Sequence, residues 1–205
     1  VSMFGSSRTP PGHPYYALAE ETARLLSDAG FAVVSGGGPG IMEAANKGAK
    51  AGVNGLSVGL KIALPFEEPP NPHQDICVEF SSFAARKVAF CKYSRAIVAM
   101  PGGLGTLDEP FEVLTLVQTG KMPTIPVLLY GVEFWSGLTD WLKTTVLSRG
   151  LVSGADIDRR LQLVGSVGEA MAVISTACIA RPQPLGLRSR SFANAPLAQP
   201  IAGGR

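Results

Sequence analysis

The chain is short of the residues that hold metals and cross-links. Among 205 residues there are two histidines, His13 and His73, and three cysteines, Cys77, Cys91 and Cys178. Neither histidine has a partner at metal-ligand spacing, so no metal is expected. His73 sits in a proline-rich loop and is expected to be exposed, not catalytic. The cysteines are odd in number, scattered and set in apolar surroundings, which predicts free buried thiols in a reducing cytoplasm. No apolar run approaches the roughly 18 residues needed to span a membrane, and no signal-peptide pattern opens the chain. Charge is sparse, at 17%. All 16 acidic residues precede Arg181, whereas Arg181, Arg188, Arg190 and Arg205 lie from there on, leaving 14 basic against 16 acidic residues in the body. A basic face for nucleic acid is therefore not expected.

Familiar nucleotide fingerprints are missing as well. There is no G-x-x-x-x-G-K-[ST]. The run Gly36 to Gly40 lacks the third glycine of G-x-G-x-x-G, and no acid ends the strand predicted at Leu56 to Leu60, where the ribose of NAD would need one. A P-loop enzyme and a dinucleotide dehydrogenase are both disfavoured.

What is present is one substantial core. With 46% hydrophobic residues and alternating strand and helix patterns, the chain reads as a single α/β domain over residues 1–180. Arg181 to Arg205, rich in Pro, Ala, Gly and Ser without periodicity, reads as a flexible tail. Strands are predicted at Val1 to Phe4 (entered partway), Phe31 to Val34, Leu56 to Leu60, Asp75 to Phe80, Arg95 to Met100, Thr124 to Tyr130 and Leu161 to Val164. Helices are predicted from Ile41, over Ser81 to Tyr93, Leu107 to Thr119, Val132 to Leu147 and Val167 to Thr176. Trp135 and Trp141 on the fourth of these are expected to pack, not to stack on a base. Such alternation implies a doubly wound parallel sheet flanked by helices.

Two strand–glycine–helix turns carry the chemistry. One is Ser35-Gly36-Gly37-Gly38-Pro39-Gly40 and the other is PGGLGTLDE, Pro101 to Glu109. Glycines at such turns let a ligand approach the main chain, and the helix that follows offers free N–H groups and the positive end of its dipole. That arrangement suits an anion, most simply a phosphate. In a parallel sheet the loops after the strands emerge at one edge, so both turns are placed to face one ligand. Glu109 has two readings: with Thr106 as N-cap it completes a capping box, or it performs chemistry beside the anion site. Arg86 and Lys87, adjacent cations in a mostly apolar helix, also have two: they occupy its wet face, or they point into the crevice as counter-charges.

GGGPGIMEAANKGA at Gly36 to Ala49, the Arg86-Lys87 pair on a helix, and PGGLGTLDE resemble the LOG family, often labelled "lysine decarboxylase-like", over roughly Val1 to Ser175. Phe4-Gly5-Ser6-Ser7 matches the end of that family's first strand. The resemblance implies a Rossmann-like fold, a homodimer, and a phosphoribohydrolase that cleaves the N-glycosidic bond of nucleoside 5′-monophosphates, cytokinin riboside monophosphates among them. Carried over by position, the catalytic pair is Arg86 and Glu109. The phosphate loop is Gly102, Gly103, Gly105 and Thr106, and the first glycine loop is Gly36, Gly37, Gly38 and Gly40. Lys87, by its place next to Arg86 and not by the resemblance, is expected as a further substrate contact. No cofactor is implied: pyridoxal chemistry needs a Schiff-base lysine, and none is recognisable.

A non-catalytic carrier of molybdenum-cofactor carrier type is the rival reading, since it resembles this chain in fold and glycine loops. The joint presence of Arg86 and Glu109 argues against it, because a binder of anions gains nothing from a nearby carboxylate. A single-stranded DNA binder of related fold is weakened by the acidic body and the few aromatics. The segment Leu60 to Gln74, with Pro65, Pro69, Pro70 and Pro72, is either a lid over the base or a rigid surface loop. The helix Leu107 to Thr119, apolar on more than one side, suits a dimer interface.

Overall fold

The computed structural model describes residues 1–64, 69–158 and 160–179; the expected tail lies outside the described residues. Its strands are β1 (Ser2–Phe4), β2 (Val33–Ser35), β3 (Ser57–Ile62), β4 (Ile76–Phe80), β5 (Ile97–Ala99), β6 (Val127–Tyr130) and β7 (Leu161–Val164). They form one sheet in the order β4-β3-β2-β1-β5-β6-β7, with every neighbouring pair parallel. The helices are α1 (Pro14–Asp28), α2 (Ile41–Ala51), α3 (Phe83–Tyr93), α4 (Leu104–Gln118), α5 (Val132–Trp141), α6 (Gly154–Asp158) and α7 (Val167–Ile179).

Strand alternation builds two cores, one on each side of the sheet. Met3, Val33, Val98, Leu128 and Tyr130 face α1, α2 and α7, while their neighbours Phe4, Val34, Ile97, Ala99, Val127 and Leu129 face α3, α4 and α5. A strand buried on both faces needs an apolar residue at nearly every position, which is why these strands read as continuous apolar runs. The sheet is thus doubly wound, as the sequence implied.

Several boundaries differ from the sequence reading. It named no helix at 14–28, yet His13 caps α1 by accepting from the Tyr15 N–H (3.1 Å), and Pro14 opens the first turn. The helix expected over Val132 to Leu147 is α-helical only to Trp141 and continues as a π-helical segment, Leu142–Leu147. Trp135 packs in the core, whereas Trp141 is exposed. The thiols are not all buried: Cys77 is exposed on the edge strand β4, and Cys91 and Cys178 are half-buried. Among the described residues no helix is long and apolar enough to cross a membrane.

The strand order runs outward from β1 in both directions, so the chain switches sides between β1 and β5. A doubly wound sheet opens a crevice at that point, beyond the carboxyl ends of its strands. Here the crevice is held by main-chain contacts at Ser6. Its N–H donates to the Pro101 carbonyl (3.1 Å) and its carbonyl accepts from the Ile41 N–H (3.0 Å), tying the β1 loop to both glycine turns. Gly40 makes this approach possible. Its φ is +68°, and a Cβ there would lie 2.4 Å from the Ser6 carbonyl oxygen. Gly40→Ala should therefore lower the unfolding free energy by about 2 kcal/mol in a urea titration; an unchanged midpoint would contradict this account of the junction.

Candidate active site

A crevice of about 810 Å³ opens at the switch point. Ser6, Ser7 and Arg8 line it from the β1 loop, Gly36 and Gly38 from the β2 loop, Lys61 and Ile62 from β3, Arg86 from α3, and Gly103, Gly105, Thr106 and Glu109 from the start of α4. Most of the residues expected from the sequence therefore meet at one place. Gly37, Gly40 and Gly102 stand behind the wall and do not line it. Gly37 turns the loop at φ +76°. Gly102 lets two backbones close up, since a Cβ on it would sit 2.9 Å from the Ser6 nitrogen.

Lys87 does not face the crevice. Its ammonium takes Asp108 Oδ1 (2.7 Å) and Glu112 Oε2 (2.9 Å) on α4, so the expected substrate contact is corrected to an ion-paired strut between α3 and α4. An α-helix turns 100° per residue, so adjacent cations cannot share one direction. His73, expected to be exposed, is half-buried with Nε2 4.0 Å from Glu43 Oε1.

The capping-box reading of Glu109 fails. Helix α4 begins at Leu104 with Gly103 as its N-cap, and the Gly103 carbonyl already accepts from the Thr106 and Leu107 N–H groups. Thr106 is thus inside the first turn, and Glu109 lies a further turn along, too deep in the helix to reach its end. Leu104 and Gly105, at the start of the helix, line the crevice, and amides of a first helical turn have no intrahelical acceptor and carry the positive end of the dipole. A Cβ on Gly103 or Gly105 would meet nothing within 4 Å.

Glu109 is 7% exposed, and its Oε2 has no hydrogen-bond partner among the described residues. Burial pushes its carboxyl above the ordinary carboxylate range, and the Arg86 charge opposes that shift. Arg86 responds in mirror image: burial lowers its pKa and the Glu109 charge raises it. Its guanidinium is held from three sides. Nε donates to the Leu60 carbonyl (2.7 Å), the guanidinium carbon lies 5.2 Å from the Phe90 ring centre, and a Cβ on Gly36 would come within 2.6 Å of Nη2. Glycine at position 36 is the seat on which that guanidinium rests. The arrangement pairs a fixed cation with a buried acid at the wall of the crevice, one oxygen of which has no hydrogen-bond partner among the described residues.

Residues 69–74, the described part of the suspected lid, are stapled to the first glycine loop: Asn71 donates from its main chain to the Gly37 carbonyl (2.9 Å) and from its side chain to the Gly38 carbonyl (3.0 Å). Leu60 to Ile62 belong to β3 and Leu64 lines the crevice. The part of the segment on which the choice between a lid and a rigid loop turns, residues 65–68, lies outside the described residues. Sequence reasoning missed Arg8 and Lys61 as crevice residues, although both follow or end strands at the edge where ligands bind.

A doubly wound α/β protein with a ligand crevice at its switch point is the class these features define. Residues 42–174 match the family model described as "Possible lysine decarboxylase". The chain belongs to that family, the LOG family its motifs resemble. It is similar to the cytokinin riboside 5′-monophosphate phosphoribohydrolase of Mycobacterium tuberculosis, at 30% identity over 157 residues, 75% of this chain and 82% of that protein. It is also similar to the pyrimidine/purine nucleotide 5′-monophosphate nucleosidase of Escherichia coli, at 28% identity over 125 residues; the match spans 57% of this chain but 28% of that longer protein. Among solved structures, the molybdenum cofactor carrier protein of Chlamydomonas reinhardtii superposes with a TM-score of 0.61 at 21% identity, covering 88% of this chain and 97% of that one. That likeness establishes the fold.

The raised carboxyl of Glu109 has a testable sign. Its folded pKa lies above the unfolded one, so its contribution to stability is complete below the unfolded value and is lost as pH rises through the folded value. Glu109→Gln has no proton to lose. Its thermal midpoint should exceed that of the parent at pH 7, with the difference closing toward about pH 4; a pH-independent difference would rule out the buried acid as its source.

Proposed function

We propose that the protein is a phosphoribohydrolase that cleaves the N-glycosidic bond of nucleoside 5′-monophosphates, giving a free base and ribose 5-phosphate. The observation that carries this reading is the buried Glu109 beside Arg86 in the same crevice as the first turn of α4. The family membership and the names of its relatives support it.

In this reading the 5′-phosphate sits at the α4 N-terminus, on the amides of Leu104 and Gly105 with the Thr106 side chain alongside. Fixing the phosphate fixes the ribose, so the anomeric carbon is positioned before reaction begins. The C1′–N bond breaks with its electron pair leaving on the base nitrogen, and the sugar acquires oxocarbenium character. Ionised Glu109 stabilises that positive charge. Its carboxylate accepts the proton of the attacking water as the hydroxyl bonds to C1′. Arg86 orients the carboxylate and the departing base, which takes up a proton to leave neutral. A carboxyl lifted by burial suits the proton-accepting part, since a base works best with a pKa nearer the working pH.

The decarboxylase label has no such support. A Schiff base requires a neutral lysine, whereas Lys61, a lysine of the crevice, lies 3.8 Å from Glu79 Oε2, and Lys87 is paired to two carboxylates. A carrier that only holds an anion would gain nothing from a buried acid at the site.

The reading extends to assembly, as a homodimer in the cytoplasm. Helix α3 leaves Phe83, Val88 and Tyr93 exposed, and Leu104, Leu107 and Phe111 of α4 line an adjoining apolar groove. Two such faces together would bury the apolar area that each leaves in water. On sedimentation the parent should run at twice the chain mass and Val88→Glu at once; a parent that runs as a monomer refutes the dimer.

Incubation with AMP and chromatography for adenine tests the reaction. Glu109→Gln should fold as the parent does and lose about 10²–10³-fold in kcat, the cost of deleting one charge stabiliser. Hydrolysis of AMP by this variant at the parental rate would remove Glu109 from the chemistry.

A further inference from the structure

The first glycine loop is tied down on the side away from the crevice by a buried polar network. Asn71, 8% exposed, is its hub. Its main-chain N–H donates to the Gly37 carbonyl (2.9 Å), and its Nδ2 donates to the Gly38 carbonyl (3.0 Å) and to Asn46 Oδ1 (2.9 Å). Gln74 Nε2 adds a second donor to the Gly37 carbonyl (3.0 Å) and one to the Asn71 carbonyl (3.0 Å). From the strand side, Ser35 Oγ accepts from the Gly37 N–H (3.0 Å) and donates to Asn46 Oδ1 (2.6 Å). Asn46 Nδ2 in turn donates to Ser57 Oγ (2.9 Å).

Carbonyls and amides of a glycine turn would otherwise be free to flip, because glycine has the least restricted backbone. Here two consecutive carbonyls are held by three donors from one short segment. The crevice side of the same loop is Gly36, against which the Arg86 guanidinium packs. A displacement of the loop therefore displaces the seat of Arg86.

We propose that Asn71 is a positioning residue: it clamps the first glycine loop so that Gly36 holds the Arg86 guanidinium opposite Glu109. The proposal rests on the hydrolase reading for its kinetic consequence, but the clamp itself is a statement about the loop. Asn71 touches no substrate and acts through residues 36–38. A network of this kind is worth building in the interior because each member is satisfied only when all the others are in place.

The test combines amide hydrogen exchange with a double-mutant cycle. Asn71→Asp keeps the size of the side chain and removes the Nδ2 donors. Gln74→Met is the milder second variant, removing one donor to Gly37 together with an Oε1 that is buried without a partner among the described residues. Both should speed exchange at residues 36–40 by about tenfold or more while leaving α1 and α7 protected. With AMP as substrate, Asn71→Asp should lower kcat by about tenfold with KM changed less than about threefold, and on an Arg86→Lys background the same change should cost less than about twofold. Exchange at 36–40 equal to that of the parent overturns the clamp, as does an equal loss of kcat on both backgrounds. A parent that hydrolyses no nucleoside monophosphate refutes the hydrolase reading, and exchange at 36–40 then decides the clamp alone. If Asn71→Asp does not fold, the same two measurements on Gln74→Met decide it.

Discussion

The crevice depends on one backbone junction, the docking of Ser6 between two glycine turns. Its N–H and carbonyl reach Pro101 and Ile41, elements more than ninety residues and more than thirty residues away in the chain respectively. Such an approach tolerates no side chain at Gly40 or Gly102, where a Cβ would fall within 3 Å of the Ser6–Ser7 backbone. Once this junction is made, the β1 loop, the first glycine loop and the start of α4 have fixed mutual positions. The amides of Leu104 and Gly105, the seat of Arg86 and the carboxyl of Glu109 then surround one space. The glycines matter here less for flexibility than for how close they let three main chains come.

Within that space the fold sustains an unfavourable pair of burials. Desolvation acts against the charged forms of both Glu109 and Arg86, and each partly relieves the other. The carboxyl nevertheless keeps one oxygen without a partner in the described protein. Buried polar atoms are nearly always paired, and an exception in a crevice at the switch point is the kind of feature that clusters at functional sites. Lys87 illustrates the contrast, because its charge is spent on two carboxylates of α4 and holds helices together.

The fold was legible because its signals are local. Apolar runs ending in glycine, followed by helical periodicity, announced β2 with α2 and β5 with α4, and the parallel-edge rule then brought Arg86 and Glu109 to one side. What escaped had non-local causes. Thr106 followed by Glu109 matches a capping box letter for letter, but Gly103 took the cap position, and only the main-chain bonds to its carbonyl reveal this. The pair Arg86-Lys87 looks alike in sequence, yet one member meets Leu60 and the other Asp108, a division set by which helix face meets the sheet. The stapling of Asn71 to Gly37 and Gly38 spans more than thirty residues, and no periodicity in the chain encodes it.

The Leu60 carbonyl that holds Arg86 belongs to β3, whose register partner at that residue is Val78 of the outermost strand β4. The cation of the site is thus moored near the margin of the sheet, where among the described residues one flank of the ladder has no neighbouring strand and local opening is cheapest. Fraying at that margin loosens the guanidinium before it disturbs Glu109, which stands on α4 beside the sheet centre. The acid and its counter-charge therefore belong to regions of unequal stiffness, and whatever quiets the rim steadies Arg86 against Glu109.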